Sequence, residues 1–355
     1  MSSCWSEPGS SWSFSSPVSQ VGGYGGCVLV DPHGRTVRDL RLSITDRCNF
    51  RCTYCMPQEG MTWLPREELL TYEEMERIVR VLVERYGFES VRLTGGEPTV
   101  RAHLPVLVER LARLGVELSM TTNGAALGLI AGELRAAGLQ RVNISLDSLR
   151  PDRFADITRR DSLHRVLDGI ESAIAAGFDP VKVNCVLVRG VNDDEILDFA
   201  EYGRRSGTEV RFIEWMPLDG EGAWAADRVV PAADVLKVLA SRYDLEAVGG
   251  GALGGSAPAE RYRYVDNGAH VGVIASVTRP FCGTCDRVRL TAEGQLRNCL
   301  FSVRETDLRA VLRGGGSDDD LAAAVEAEVG RKWAGHAIGQ VHFIRPARSM
   351  SQIGG

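Results

Sequence analysis

From residue 37 onward the chain alternates between short apolar runs and longer stretches whose apolar residues recur every three or four positions. The short runs are strand-sized, and the longer stretches have the spacing of amphipathic helices. Six strands are predicted: Arg38 to Ile44, Val91 to Thr94, Glu117 to Thr121, Arg141 to Leu146, Val181 to Val188 and Val210 to Met216. Between them, Met75, Ile78, Val79, Leu82 and Tyr86 share a helix face opened by a Thr71–Glu74 capping box. Leu163, Val166, Leu167, Ile170 and Ile174 mark a second helix, and a third begins near Asp193 and stops at Gly207. Alternation of this kind builds βαβ units around a parallel sheet. Six units are too few for a complete eight-stranded barrel. The expected α/β fold is therefore an incomplete (β/α)6 barrel with its ligand site at the C-terminal ends of the strands; an open doubly wound sheet satisfies the same pattern.

Residues 1–36 are rich in Ser and Gly, lack apolar periodicity and read as a disordered extension. The barrel is expected over 37–245. The regularity weakens after residue 217, and 246–355, entered through the Gly-rich stretch VGGGALGGSAP, is expected to form a smaller C-terminal lobe. At 355 residues, 44% hydrophobic and 25% charged, the chain can bury a substantial core. Its net charge of −6 supplies no global basic field for nucleic acid or an anionic membrane, so an anionic ligand must be met by a local group of Arg and Lys. No run approaches the roughly 18 to 20 apolar residues of a membrane span. The N-terminus lacks the basic start and apolar core of a secretory signal, which makes the cytoplasm the expected location.

Six of the nine cysteines fall into two tight groups, a pattern of metal binding rather than of a disulfide framework. Cys4, Cys27 and Cys185 stand outside both and receive no role. Cys48, Cys52 and Cys55 have the spacing C-x3-C-x2-C directly after the first predicted strand. Three thiolates on one loop can hold three irons of a cubane and leave the fourth iron open to a ligand; a zinc site is the competing reading. Cys282, Cys285 and Cys299 form a second trio, C-x2-C-x13-C, with His270 twelve residues upstream in no recognisable zinc motif. Arg287 and Arg289, in CDRVRL, alternate onto one face of a strand, where two guanidiniums make a clamp for a polyphosphate.

The first trio, together with Thr94-Gly95-Gly96-Glu97-Pro98, resembles the radical S-adenosylmethionine superfamily. Both cysteine spacings, CDRVRL and the C-terminal SMSQIGG narrow the resemblance to the GTP 3′,8-cyclase family of molybdenum cofactor biosynthesis, from about Asp39 to the last residue. This resemblance implies two 4Fe-4S clusters, held by Cys48, Cys52 and Cys55 and by Cys282, Cys285 and Cys299. It implies S-adenosylmethionine contacts at Tyr54, Gly96, Glu97, Ser145 and Met216. GTP contacts are implied at Arg41, Arg92, Thr121, Lys182, Arg287, Val288 and Arg289, and catalytic parts for Arg287, Arg289, Gly354 and Gly355. The implied reaction begins with reductive cleavage of S-adenosylmethionine. The deoxyadenosyl radical so formed takes hydrogen from C3′ of GTP, and closure onto C8 gives (8S)-3′,8-cyclo-7,8-dihydroguanosine 5′-triphosphate. An electron donor and a downstream enzyme that processes the cyclic product are implied partners; neither nucleic acid nor a membrane is, and a homodimer is left open. A peptide-modifying radical enzyme with an auxiliary cluster and a non-catalytic electron-transfer or zinc scaffold are the alternatives. A nucleotide-binding regulator is disfavoured because no P-loop motif is present.

Overall fold

The computed structural model describes residues 18–20, 27–57, 60–219, 222–250, 256–341 and 343–354. Two short strands, β1 (Val18–Gln20) and β2 (Cys27–Leu29), pair antiparallel with each other. The six predicted strands are β3 (Asp39–Ser43), β4 (Ser90–Thr94), β5 (Glu117–Thr122), β6 (Arg141–Ser145), β7 (Lys182–Leu187) and β8 (Glu209–Glu214). They lie side by side in sequence order, each parallel to the next. The crossovers are α1 (Tyr72–Tyr86), α2 (Leu104–Ala112), α3 (Leu127–Ala136), the pair α4 (Pro151–Thr158) and α5 (Leu163–Ala175), and α6 (Ile196–Ser206). In α1 the predicted apolar face is buried, Thr71 and Glu74 form the capping box, and Gly87 closes the helix in the left-handed conformation. Gly207 does the same for α6.

The C-terminal region extends both edges of this sheet. After α7 (Ala232–Ala240) come β9 (Leu245–Gly249), β10 (Glu260–Tyr264) and β11 (His270–Ile274). Strand β11 runs parallel beside β8, and β10 and β9 follow antiparallel. At the opposite edge β12 (Arg287–Leu290) runs parallel beside β3, followed antiparallel by β13 (Gln295–Arg297) and β14 (Thr306–Asp307). The result is a twelve-stranded sheet whose two end strands, β14 and β9, do not pair: an incomplete barrel with an open seam. Three further helices complete the chain: α8 (Leu308–Arg313), α9 (Asp318–Val329) and α10 (Met350–Ile353). No helix among the described residues is long and apolar enough to cross a membrane.

Two expected boundaries shift. The division between 245 and 246 falls inside β9, and its pairing with β10 keeps that strand with the residues that follow. The N-terminal extension, expected to be disordered to residue 36, is ordered over residues 27–36. Leu29 is in the core, and the Arg35 guanidinium pairs with buried Asp31 and donates to the carbonyls of Cys282, Trp333 and Ala334. The rest of that segment, apart from β1, lies outside the described residues.

Candidate active site

Parallel strands end on one side of a sheet, so the loops after β3, β4, β5, β6 and β8 converge there. Cys48, Cys52 and Cys55 follow β3 and line a cavity of about 220 Å3 with Tyr54, Gly96, Glu97, Thr121, Ser145 and Met216. Their loop is pinned to α4: Arg51 N and Thr53 N donate to the carbonyls of Thr158 and Ile157. Burial pushes the Cys48 thiol up to about 12 and Cys55 to about 11, and raises Cys52 as well. Iron binding would displace those protons.

The paired glycines serve this loop. Gly96 N donates to Thr45 O and Glu97 N to Arg47 O, both at 2.8 Å. A Cβ on Gly95 would overlap the Thr45 carbonyl, and one on Gly96 the carbonyls of Asp46 and Arg47. The two glycines thus let β4's end approach the cysteine loop's own backbone closely. Glu97, 1% exposed, spends both carboxylate oxygens on the protein: Oε1 accepts from Thr99 N, Thr99 Oγ1 and Thr122 Oγ1, and Oε2 from Asn123 N. It ties the end of β4 to the end of β5. Tyr54 donates to Asp147 Oδ2 at 2.6 Å, while Asp147 Oδ1 accepts from Val186 N; burial holds the Asp147 carboxyl up at about 6.

Cys282, Cys285 and Cys299 line a second cavity of about 80 Å3 with Met216, Arg287, Arg289 and His336. Met216 therefore borders both cavities. His270, the histidine nearest in sequence, lies on β11 and does not line this cavity, whereas His336 does. Both nitrogens of His336 are engaged, Nε2 with Ser276 O at 2.8 Å and Nδ1 as acceptor from Ile338 N at 3.3 Å. Neither is offered as a fourth zinc ligand. Burial raises the Cys282 thiol. Burial also acts to raise Cys285, but the charges of Lys332 and Arg287 outweigh it and the thiol is lowered. Among the described residues no three His, Cys, Asp or Glu side chains converge as the ligands of one ion would. Each cysteine trio lines its own cavity.

The strands of the sheet also carry a row of cations. Register sets Arg289 opposite Arg41 and Arg41 opposite Arg92; Lys182 lies on β7 and Arg211 on β8. The local anions are few: Asp39 pairs with Arg41 at 3.2 Å, and Glu209 with Arg211 at 2.6 Å and with Arg261. Among the described residues, Arg92, Lys182 and Arg289 have no carboxylate within ion-pair distance. Burial, reinforced by neighbouring cations, lowers Arg92 well below its ordinary value, Arg289 to about 9 and Lys182 to about 7. Such crowding is costly unless an anion enters. The chain's end comes here too: Arg289 donates to the Gly354 carbonyl, Ser43 Oγ donates to Ile353 O, and Ser351 bonds to Cys55.

The Radical SAM superfamily matches residues 42–203, and the family described as Molybdenum Cofactor Synthesis C matches 208–338. The protein named GTP 3′,8-cyclase from Streptomyces coelicolor is 51% identical over 334 residues, covering 93% of this chain and 97% of that one. GTP 3′,8-cyclase 2 of Mycobacterium tuberculosis H37Rv is 49% identical, covering 92% of each. The chain belongs to the GTP 3′,8-cyclase family. Among solved structures, Streptococcus suis SuiB bound to S-adenosylmethionine shares the fold, with a TM-score of 0.55 at 14% identity over 83% of this chain and 69% of that one.

Of the residues expected to serve a cyclase of this family, both cysteine trios, Tyr54, Gly96, Glu97, Thr121, Ser145, Met216, Arg287 and Arg289 line the two cavities. Arg41, Arg92 and Lys182 lie on β3, β4 and β7 and line neither cavity. Val288, on β12, is 0% exposed with its side chain in the core, and it lines neither cavity. Gly354 lies against Ser43 and Thr94; Gly355 is outside the described residues. Sequence reasoning missed Arg211, which shares the alternation signal of Arg41 and Arg92. It also missed Asp147, Lys332 and His336, whose positions depend on contacts distant in sequence.

Proposed function

We propose that this chain converts GTP to (8S)-3′,8-cyclo-7,8-dihydroguanosine 5′-triphosphate, the first step toward molybdopterin. Its membership of the GTP 3′,8-cyclase family supports the reading, and one structural observation carries it: Arg92, Lys182 and Arg289 have no carboxylate within ion-pair distance among the described residues, on a sheet that also carries two cavity-lining cysteine trios. Cys48, Cys52 and Cys55 would hold one 4Fe-4S cluster, with S-adenosylmethionine against Tyr54, Gly96, Ser145 and Met216, and Cys282, Cys285 and Cys299 a second. When bound, these groups supply the hydrogen-abstracting radical on one side of the cavity and a metal anchor for the purine on the other.

The protein's own part is position and charge. Arg92, Lys182, Arg211, Arg287 and Arg289 hold the triphosphate, with guanidinium forks matched to phosphate oxygens. The bound anion relieves their mutual repulsion. Glu97 fixes the ends of β4 and β5 and Asp147 orients Tyr54, so the walls facing the ribose are rigid. Met216 borders both cavities and so would lie beside both the radical source and the purine anchor. The tail residues Ile353 and Gly354 close the site from the β3 side and limit access of water and stray hydrogen donors. Selectivity for one C–H bond then rests on geometry. The test uses anaerobically reconstituted protein with S-adenosylmethionine, dithionite and GTP deuterated at C3′. Deuterium recovered in deoxyadenosine together with the cyclic nucleotide is expected; deoxyadenosine free of deuterium in the presence of bound GTP would overturn the reading.

A further inference from the structure

Lys332 follows α9 by three residues and is 4% exposed. Its Nζ donates to the carbonyls of Arg287 and Asn298, each at 2.6 Å, and stands 3.9 Å from Cys285 Sγ. The first carbonyl belongs to β12 and the second to the residue before Cys299. One ammonium therefore joins both walls of the second cysteine site and directs its remaining charge at a thiol between them. Two other buried cations nearby are neutralised, Arg35 by Asp31 and Arg297 by Glu305, whereas Arg289 in the same cavity wall is not. Lys332 has no carboxylate within ion-pair distance among the described residues. A buried ammonium satisfied only by carbonyl dipoles needs an anion close by, and the nearest groups able to become one are the cysteine sulfurs.

We propose that Lys332 is the built-in counter-charge of the second cysteine site, holding the thiolate of Cys285 and raising the reduction potential of the cluster bound there. The inference rests on the reading above, in which that site carries an iron–sulfur cluster. A cubane with three thiolates has a net negative charge, and reduction adds another unit. A fixed positive charge beside a ligating sulfur therefore favours the reduced form. The two carbonyl bonds hold the ammonium in place, so its charge acts at a fixed distance. Lys332 is a positioning residue and need not touch substrate.

The experiment uses full-length protein carrying Cys52→Ala, so that iron at the second site is read alone, and an anaerobic redox titration with dithionite and mediators followed by electron paramagnetic resonance. Into it are placed Lys332→Gln, which keeps an N–H donor for the carbonyls and removes the charge, and Lys332→Arg, which keeps the charge. At the potential where the Lys332 protein is half reduced, the Gln variant should show a ratio of reduced to oxidised cluster about tenfold lower, equivalent to ~59 mV for one electron, and the Arg variant should stay near one. Superposed curves for Lys and Gln, or an Arg variant displaced as far as Gln, overturn the proposal. If Gln abolishes iron uptake and Arg restores it, the charge is needed for assembly and the proposal stands; if neither variant binds iron, side-chain shape governs and it falls. Absence of iron from the Cys52→Ala protein with Lys332 intact would instead remove the two-cluster reading.

Discussion

Arg289 joins three parts of the site: it stands opposite Arg41 in the sheet, lines the second cavity and donates to the carbonyl of Gly354. Its own charge has no carboxylate partner among the described residues, and in the proposed function a GTP phosphate would take that place. Replacing it with Ala should cost the ~1.5–3 kcal/mol of a charge-assisted hydrogen bond. The expected result is a rise of at least tenfold in the dissociation constant for GTP, read by anaerobic titration, with iron content unchanged. An equal affinity would take Arg289 out of the substrate site. Cys52 separates metal from substrate at the same scale. Cys52→Ala should stop deoxyadenosine formation and lower iron from about eight to about four per chain, while GTP still binds.

At the scale of elements, the strands were legible because each carries its own apolar run, and Arg41, Arg92 and Lys182 fall on β3, β4 and β7. Val288, within CDRVRL, falls in the core. The N-terminal segment was not legible: Arg35 is ordered by carbonyls of residues 282, 333 and 334, and no local pattern announces contacts so far along the chain. Lys332 escaped for the same reason. The tail was legible only through its family resemblance, since a Gly-Gly ending has no intrinsic signal. Its structure now gives a physical test. Gly354 has a φ of +83°, and a Cβ there would overlap Ser43 Oγ and Thr94 Cγ2. Gly354→Ala should push the tail off the ends of β3 and β4 and remove Arg289's carbonyl partner. Turnover is expected to fall at least tenfold with both clusters retained. The melting temperature should move by no more than about 2 °C, because a terminal four-residue helix adds little to the global transition; full turnover would place the tail outside the reaction.

Across the whole molecule, a net charge of −6 coexists with a local cluster of cations on β12, β3, β4, β7 and β8, and one member of it, Lys182, should make stability and substrate affinity respond oppositely to pH. Lys182 faces Arg211, Glu209, Arg141 and Arg92; burial and then Arg211 bring it down to about 7, from the ordinary lysine value of 10.5. Between those two values the unfolded chain binds a proton that the folded chain has released, so the free protein should gain stability as pH rises through that window and lose it as pH falls through 7. GTP prefers the charged ammonium, so its affinity should decline as pH rises above about 7. Melting temperature and GTP titration, each measured at pH 6.5 and pH 8.5 without S-adenosylmethionine, would then move in opposite directions. Lys182→Met should flatten the part of both trends that Lys182 carries, raise the melting temperature of the ligand-free protein at pH 6.5, and weaken GTP binding there about tenfold, as expected when a residue is kept for its ligand at the expense of the empty fold. A Met variant with the full pH dependence of both quantities would show that another group in the row titrates first.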